Sequence, residues 1–167
     1  MKLTVLFDLD GTLLVNDMAT FLPPYLKALG QSLAPLPGEQ VGREVLAATR
    51  RMVHKQEPAA TLEETFDQNF YPRIGISKQE LRPTIDAFYA QVFPSLRQYT
   101  QPRPEAIRLV EAAFEMGHQV VVATNPLFPR TAVLQRLEWA SLPADRYPFA
   151  LITTYEHMHF AKPNPAY

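Results

Sequence analysis

Residues 3–12 of this 167-residue chain read LTVLFDLDGT. The first five of them, Leu3 to Phe7, form a short apolar run that stops abruptly at Asp8. A strand that is covered on both faces has this continuous apolar character, which is typical of a parallel sheet between helices. The run therefore predicts a buried strand that leads directly into a polar turn.

Two later segments repeat this form of an apolar run with polar residues at its end. Residues 119–123 read QVVVA and precede Thr124, and residues 149–153 read FALIT. Helical spacing of apolar residues predicts a helix over 104–116, before the second run, and another over 129–139, after it. This alternation predicts an α/β fold with a Rossmann-like parallel sheet core.

The segment 17–97 has a different character, because it contains no strand-length run of β-branched residues. Its apolar spacing predicts helices over 17–29, 39–54, 61–70 and 77–93. Asp17, Thr61 and Ser77 stand where helix N-caps belong, and Glu80 completes a capping box with Ser77. We therefore predict an all-helical cap domain of residues 17–97, inserted into a core of residues 1–16 and 98–167.

Composition excludes several classes of function. Sixteen basic and seventeen acidic side chains leave a formal charge of −1, so the chain lacks the basic surplus that nucleic acid or anionic lipid would attract. The absence of cysteine excludes disulfides, thiolate metal sites and cysteine nucleophiles. The apolar run near the start is too short for a signal peptide or a membrane span, so we expect a cytoplasmic protein with neither a nucleic-acid nor a membrane partner.

Asp8 and Asp10 carry the strongest chemical signal. They follow the first predicted strand at positions i and i+2, at the carboxyl edge where open α/β sheets bind ligands. Two adjacent carboxylates repel each other unless a cation lies between them, and Mg²⁺ accepts such hard oxygen ligands. Gly11 allows the backbone to turn close to a bound group. An ordinary Asp-rich turn is the alternative interpretation.

Two weaker signals follow the other predicted strands. The Thr124 hydroxyl and the backbone N–H groups of Thr124 and Asn125 are suited to a phosphoryl oxygen, although a threonine at a strand end is more often a simple cap. Lys162 lies nine residues beyond Thr153, and its compact charge suits a phosphate or a carboxylate nucleophile. A lone loop lysine is usually just solvated. Because each signal follows its own strand, we expect all three at one edge of one sheet.

Three motifs in this order resemble those of the haloacid dehalogenase-like (HAD) hydrolase superfamily. Residues 5–13, VLFDLDGTL, resemble the first motif of that superfamily, residues 121–125, VVATN, the second, and residues 161–165, AKPNP, the third. The predicted helical insertion is similar in position to the C1-type cap domain of the superfamily. The chain is accordingly identified as a member, with a phosphatase-like first motif.

The resemblance implies a role for each motif residue. Asp8 would attack phosphorus to give an aspartyl-phosphate, and Asp10 would protonate the leaving oxygen and then activate water. The Asp8 side chain and the Asp10 carbonyl would bind Mg²⁺. Lys162 would offset negative charge. The residues that would contact the phosphate are Leu9, Gly11, Thr12, Thr124, Asn125 and Lys162.

The activity that the resemblance implies is Mg²⁺-dependent hydrolysis of a small phosphorylated metabolite, a phosphate monoester. A phosphate ester needs an acid to protonate its leaving oxygen, whereas dehalogenation does not. The presence of the second aspartate, Asp10, therefore disfavours dehalogenation. A phosphomutase of the same superfamily is one alternative. A non-catalytic binding or interaction module that keeps the fold is the other.

The sequence departs from the superfamily at its fourth motif, an acidic pair that follows a further strand and completes the Mg²⁺ shell. The chain reaches Tyr167 five residues after Lys162 without such a pair. We therefore expect an apparently truncated fold with weak or absent activity. We also expect the strand of residues 3–7 to form an apolar sheet edge, which is a site for self-association.

The cap residues give little information about the substrate. Arg43, Arg50 and His54 fall on one face of the second predicted helix. They form either a polar surface over the active site or a solvated helix face, and we favour the solvated face. Asn16 and Asp17 are closer to the first motif and are expected at the hinge of the cap.

Overall fold

The computed structural model describes residues 1–167 as two small sheets and six α-helices. In chain order the elements are β1 (Thr4–Phe7), β2 (Leu14–Val15), α1 (Met18–Ser32), α2 (Gly38–Val53), α3 (Leu62–Ile74), α4 (Lys78–Ala87), β3 (Gln101–Pro102), α5 (Pro104–Glu115), β4 (Gln119–Val122), α6 (Arg130–Trp139) and β5 (Leu151–Ile152). None of the helices combines the length and the apolar character needed to cross a membrane.

The main sheet is parallel, with the strand order β1-β4-β5. Phe7 pairs with Val122, and Val122 pairs in turn with Ile152. β5 has only two residues, but backbone hydrogen bonds from Ala150 and Thr153 to β4 extend its pairing on both sides. The predicted α/β fold with a parallel sheet is thus confirmed, and its strands end at one edge.

β1 lies at the edge of the main sheet. Leu6 in this strand is 61% exposed, and the preceding Leu3 is 45% exposed, so the prediction of a buried strand is wrong for most of β1. An apolar edge strand of this kind presents unpaired backbone groups to a second chain. Self-association through this edge stays a prediction.

A second sheet consists of two antiparallel strands of two residues each. Leu14 of β2 pairs with Pro102 of β3, and Val15 pairs with Gln101. A segment of two residues is too short to show the alternation of apolar and polar residues that predicts a strand. These two strands could therefore not be predicted from the sequence. β2 lies just before the helical segment begins, and β3 lies just after it ends. The division into a core of residues 1–16 and 98–167 and a cap of residues 17–97 stays a prediction.

Three of the helices between residues 18 and 99 begin at the predicted N-caps. The Asp17 carboxylate accepts a hydrogen bond from the Ala19 N–H at 3.0 Å. Thr61 and Ser77 both form full capping boxes, with Glu64 and Glu80 respectively. The capping predictions are confirmed, and the box at Thr61 is an addition to them.

The last predicted helix, over 77–93, is α-helical only as far as Ala87, and its final six residues take other helical forms. α4 ends at Ala87, and the chain continues as a π-helical turn over Phe88–Val92 and a 3₁₀ segment over Phe93–Tyr99. Pro94 has no N–H to donate to the carbonyl four residues before it, so the α-helical ladder cannot continue through this residue. The change in helix type lets Phe88 and Phe93 enter an aromatic cluster.

This aromatic cluster joins the helical segment to the sheet layer. Phe93 stacks on Trp139 of α6 with ring centroids 5.2 Å apart. Phe21 of α1 contacts both rings at centroid distances of 6.2 and 6.3 Å. One hydrophobic core of 31 buried residues therefore runs through the helical segment and the sheet layer.

Candidate active site

Asp8 and Lys162 form an ion pair at the carboxyl end of β1. Lys162 Nζ lies 2.9 Å from Asp8 Oδ1 and donates a second hydrogen bond to the Ala123 carbonyl at 2.6 Å. Ala123 directly follows β4, so the ammonium group bridges the ends of two neighbouring strands. The two side chains are 38% and 37% exposed, which leaves the pair accessible to a ligand from solvent.

Asp10 is held by both of its carboxylate oxygens. Asn16 Nδ2 donates to Oδ1 at 2.7 Å, and Arg136 Nη1 lies 2.5 Å from Oδ2. Asn16 comes from the segment between β2 and α1, whereas Arg136 comes from α6. The second aspartate of the motif is therefore fixed by groups from two different parts of the fold.

Arg136 is a fully buried arginine with 0% exposure. Its guanidinium carbon lies 4.4 Å from the centroid of the Phe128 ring, and Nε donates to the Ala132 carbonyl at 3.4 Å. Nη2 has no hydrogen-bond partner in the protein. A buried arginine needs a compensating charge, and Asp10 provides it.

Arg136 is not among the site residues predicted from the sequence, although the sequence contains a signal for it. Ala132, Val133 and Leu137 form the buried side of α6, and Arg136 falls on the same side at helical spacing. A charged residue on the apolar side of a helix indicates a buried partner of opposite charge. The partner could not be inferred, because 126 residues separate Arg136 from Asp10.

The turn after Asp8 is closed by hydrogen bonds within its own backbone. Gly11 has a φ of 79°, a conformation that favours glycine. The Gly11 N–H donates to the Leu14 carbonyl at 2.8 Å, and the Thr12 N–H donates to the Leu9 carbonyl at 3.2 Å. The turn thus uses the backbone donors of Gly11 and Thr12. The Leu9 N–H donates no hydrogen bond within the chain, and Thr12 is exposed.

Thr124 and Asn125 connect the loop after β4 to the residues around Lys162. Thr124 is 1% exposed, and its carbonyl accepts hydrogen bonds from Thr153 Oγ1 at 2.6 Å and Tyr167 Oη at 2.9 Å. Asn125 Oδ1 accepts from the Lys162 N–H at 3.1 Å. These bonds fix the loop, and Tyr167 is a participant that the sequence analysis did not consider.

At this edge of the sheet the Asp8 side chain has a free oxygen for a metal, whereas both side-chain oxygens of Asp10 are engaged. No group of three or more histidine, aspartate or glutamate residues is arranged to hold a metal ion. Glu156, which precedes Lys162 in sequence, accepts a hydrogen bond from the Arg130 N–H at 2.7 Å at the start of α6. Asp8 accepts one side-chain hydrogen bond, at Oδ1, which leaves Oδ2 available as a hard oxygen ligand.

The cap cations named from the sequence do not form one group. Arg43 pairs with its neighbour Glu44 at 3.0 Å. Arg50 and His54 line a groove of about 300 Å³ between α2 and α3, together with Arg51 and Arg73. Arg50, Arg51, His54 and Arg73 are exposed, as a solvated helix face would be.

The comparison with protein families agrees with this arrangement of a parallel sheet and polar residues at its carboxyl edge. The model for haloacid dehalogenase-like hydrolases matches residues 3–167. The chain therefore belongs to the HAD-like hydrolases, and the membership predicted from its three motifs is confirmed. The family supports hydrolysis of a small molecule as the broad class of reaction. The comparison with curated proteins gives no match.

Proposed function

We propose that this chain is a Mg²⁺-dependent phosphatase that hydrolyses a small-molecule phosphate monoester through an aspartyl-phosphate on Asp8. The observation that carries the proposal is the accessible ion pair between Asp8 and Lys162. Lys162 orients the carboxylate and offsets the charge that Asp8 and a bound phosphate bring together. Because its Oδ1 is held, Asp8 presents Oδ2 to a ligand in a fixed orientation.

The first step transfers the phosphoryl group to the protein. An Asp8 oxygen forms a bond to phosphorus, and the bond from phosphorus to the ester oxygen breaks. Once Asp10 has left Arg136 and taken up a proton from solvent, it gives this proton to the leaving oxygen, so that the product is a neutral alcohol. Asp10 then takes a proton from water, the water oxygen attacks phosphorus, and the Asp8–phosphorus bond breaks to release phosphate.

Arg136 and Asn16 position Asp10 for these proton transfers. Both Asp10 oxygens accept hydrogen bonds from the protein, at 2.7 and 2.5 Å. One of these bonds has to open before a carboxyl oxygen can reach a leaving group. We therefore propose that Arg136 and Asn16 hold Asp10 in a resting position, from which it turns towards the substrate.

The phosphate contacts follow from the free donors near Asp8. We propose that the Leu9 N–H, the Thr12 and Thr124 hydroxyls and Lys162 bind phosphoryl oxygens. Gly11 contributes the shape of the turn, since its own N–H is used there. Asn125 holds Lys162 in place through the backbone.

The residues present fit a Mg²⁺ ion in part. The free oxygen of Asp8 and the Asp10 carbonyl would hold it, and Mg²⁺ usually keeps several waters beside one or two carboxylates. When bound, Mg²⁺ polarises the phosphoryl oxygens and neutralises charge. Weak or absent activity of this chain stays a prediction. A cytoplasmic location also stays a prediction.

A panel of phosphate monoesters with and without Mg²⁺ tests this function. The purified chain should release phosphate from at least one ester, and chelation of Mg²⁺ should stop the release. Asp8→Asn should abolish it, while Asp86→Asn, which changes an exposed acid on α4, should not. Equal turnover by Asp8→Asn would remove Asp8 from its assigned role.

A non-catalytic module is the second candidate. One observation favours it: both Asp10 oxygens are engaged by other side chains. In that case the site binds inorganic phosphate, and the panel gives no product. A phosphomutase, the further alternative, would instead transfer the phosphoryl group to a sugar phosphate.

A further inference from the structure

An apolar cavity of about 240 Å³ lies between the cap helices and the loop that follows β4. Fifteen of its seventeen lining residues are hydrophobic, and none carries a charge. They come from α1 and the following Leu33, from α2 to α4, from the π-helical turn, from Leu127–Pro129 and from Tyr155. The cavity thus lies where the helical segment meets the sheet layer.

The size of this cavity argues against an incidental packing defect. Protein interiors pack as densely as organic crystals and contain few voids larger than a water molecule. An apolar cavity of roughly 150 Å³ is already large enough to bind benzene. A cavity larger than this gives up many packing contacts when it is empty, and an apolar occupant would restore them.

The polar groups of the lining are few. The hydroxyls of Tyr25 and Tyr89 bond to each other at 3.0 Å, and Thr49 Oγ1 donates to the Val45 carbonyl at 2.8 Å. The phenols of Tyr71 and Tyr155 are the remaining polar groups. Water needs two to four polar partners in a buried site, so this lining favours an apolar ligand over water.

The cavity wall also contacts both residues that hold Asp10. The Phe128 ring lies 4.4 Å from the Arg136 guanidinium carbon. Met18 Sδ lies 3.9 Å from Asn16 Nδ2. An occupant of the cavity therefore lies one side chain away from each partner of Asp10.

We propose that this cavity is a binding site for an apolar, ring-sized group, either aromatic or branched aliphatic. Such a group belongs to a free molecule or to the alcohol half of the phosphate ester. Binding of the group is independent of the proposed function. Its assignment to the ester rests on that function.

Methyl NMR of the wild-type chain with indole as the probe tests the binding directly. We expect shifts at the cavity methyl groups of Met18, Val45 and Leu46, and none at Met116, which is 69% exposed. Glycerol, a polar molecule, should shift none of them. The proposal is overturned if indole leaves the three cavity residues unshifted.

Filling the cavity tests the location a second time. Thr49→Phe places a ring in the cavity, and Leu46→Phe serves if the first variant does not fold. We expect the affinity for indole to fall at least tenfold, with Thr20→Phe, on an exposed part of α1, as the matched control. Unchanged indole affinity in a folded Thr49→Phe or Leu46→Phe chain contradicts the proposal.

Competition between indole and 1-naphthyl phosphate distinguishes the two sources in the Asp8→Asn chain, which should not turn over the ester. Displacement of indole by the ester, but not by glycerol 3-phosphate, assigns the cavity to the alcohol half of the substrate. Simultaneous binding of indole and the ester assigns it to a free molecule. If Asp8 is phosphorylated and indole does not bind, the cavity proposal fails while the proposed function stands. If indole binds and Asp8 is never phosphorylated, the cavity proposal stands while the proposed function fails.

Discussion

The residue that most changes the interpretation of this site is Arg136. The side chain is fully buried, and Asp10 is the acid that compensates its charge. Breaking a buried ion pair from one side leaves the other charge uncompensated, which costs more than the loss of an exposed pair. Loss of either partner should therefore destabilise the fold, and loss of Arg136 also releases Asp10 from its position.

Replacing Arg136 by methionine should lower the free energy of unfolding by about 3 to 5 kcal/mol, because Asp10 is left without its cation. Urea unfolding of the two chains measures this change. Arg82→Met is the matched control, since its pair with Asp86 is exposed at both ends and should contribute less than about 1 kcal/mol. In the Asp10→Asn background the cost of Arg136→Met should shrink. Equal costs in both backgrounds would show that the two side chains are not coupled.

At this scale the sequence predicts part of the site. Asp8 and Lys162 stand in recognisable motifs after their own strands, and the structure has them 2.9 Å apart. Arg136 and Asn16 could not be assigned to Asp10, because a hydrogen bond between distant segments depends on how the helices pack. Helical spacing identifies the buried side of α6 but not what that side meets.

At the scale of elements, the close contact between α1 and α2 depends on Gly30. A Cβ atom on Gly30 would lie 2.8 Å from the Gly38 Cα and 3.1 Å from its carbonyl oxygen. The obstacle is backbone, which cannot rotate aside as a side chain does. The two helices can therefore approach this closely only without a side chain at residue 30.

Gly30→Ala should destabilise the chain by about 1 to 3 kcal/mol, because α1 and α2 have to move apart. Gly42→Ala is the matched control, since its Cβ would meet only Leu26 Cβ at 3.9 Å. That change should stabilise α2 by about 0.5 to 1 kcal/mol. Thermal and urea unfolding of both variants measure the difference. A neutral Gly30→Ala would mean that the two helices are not packed as described.

The elements also show which sequence signals are dependable. Thr61 and Ser77 are reliable helix starts, because a capping box is a local arrangement of side chain and backbone. β2 and β3 are two residues long, so their pairing depends on where the rest of the chain brings them. The π-helical turn at Phe88 depends in the same way on the rings it packs against.

On the scale of the whole molecule, burial of tyrosines sets the response to alkaline pH. Burial raises the pKa of Tyr25 and of Tyr89 above the ordinary value of 10, and it raises the pKa of Tyr71 to about 12. A raised folded-state pKa means that the neutral form is favoured in the fold. The stabilisation of the fold that this preference represents is complete below pH 10 and is lost as the pH rises through the folded-state pKa.

The free energy of unfolding should therefore fall as the pH rises above 10, and Tyr71 alone should contribute a loss of about 1 kcal/mol at pH 11. Urea unfolding at pH 8 and pH 11 measures the loss. Tyr89→Phe should reduce this dependence, whereas Tyr99→Phe, at an exposed ring, should leave it unchanged. Identical pH dependence in wild type and Tyr89→Phe would refute this origin.

The exposed edge at β1 predicts self-association of the whole molecule. We expect sedimentation to show a dimer at high protein concentration, with β1 as part of the interface. Leu6→Lys should shift the chain towards monomer by placing a charge on the edge. Leu109→Lys, at another exposed leucine on α5, should not. A monomer at all concentrations would contradict the prediction.

The most direct test of the central claim is the detection of the phosphoryl group on Asp8. The chain is mixed with p-nitrophenyl phosphate and Mg²⁺, quenched in acid, digested and examined by mass spectrometry. The account predicts a phosphoryl adduct on Asp8 that is absent from Asp8→Asn and accumulates in Asp10→Asn, which cannot activate water. Hydrolysis of the ester with no adduct at Asp8 in either chain would contradict it.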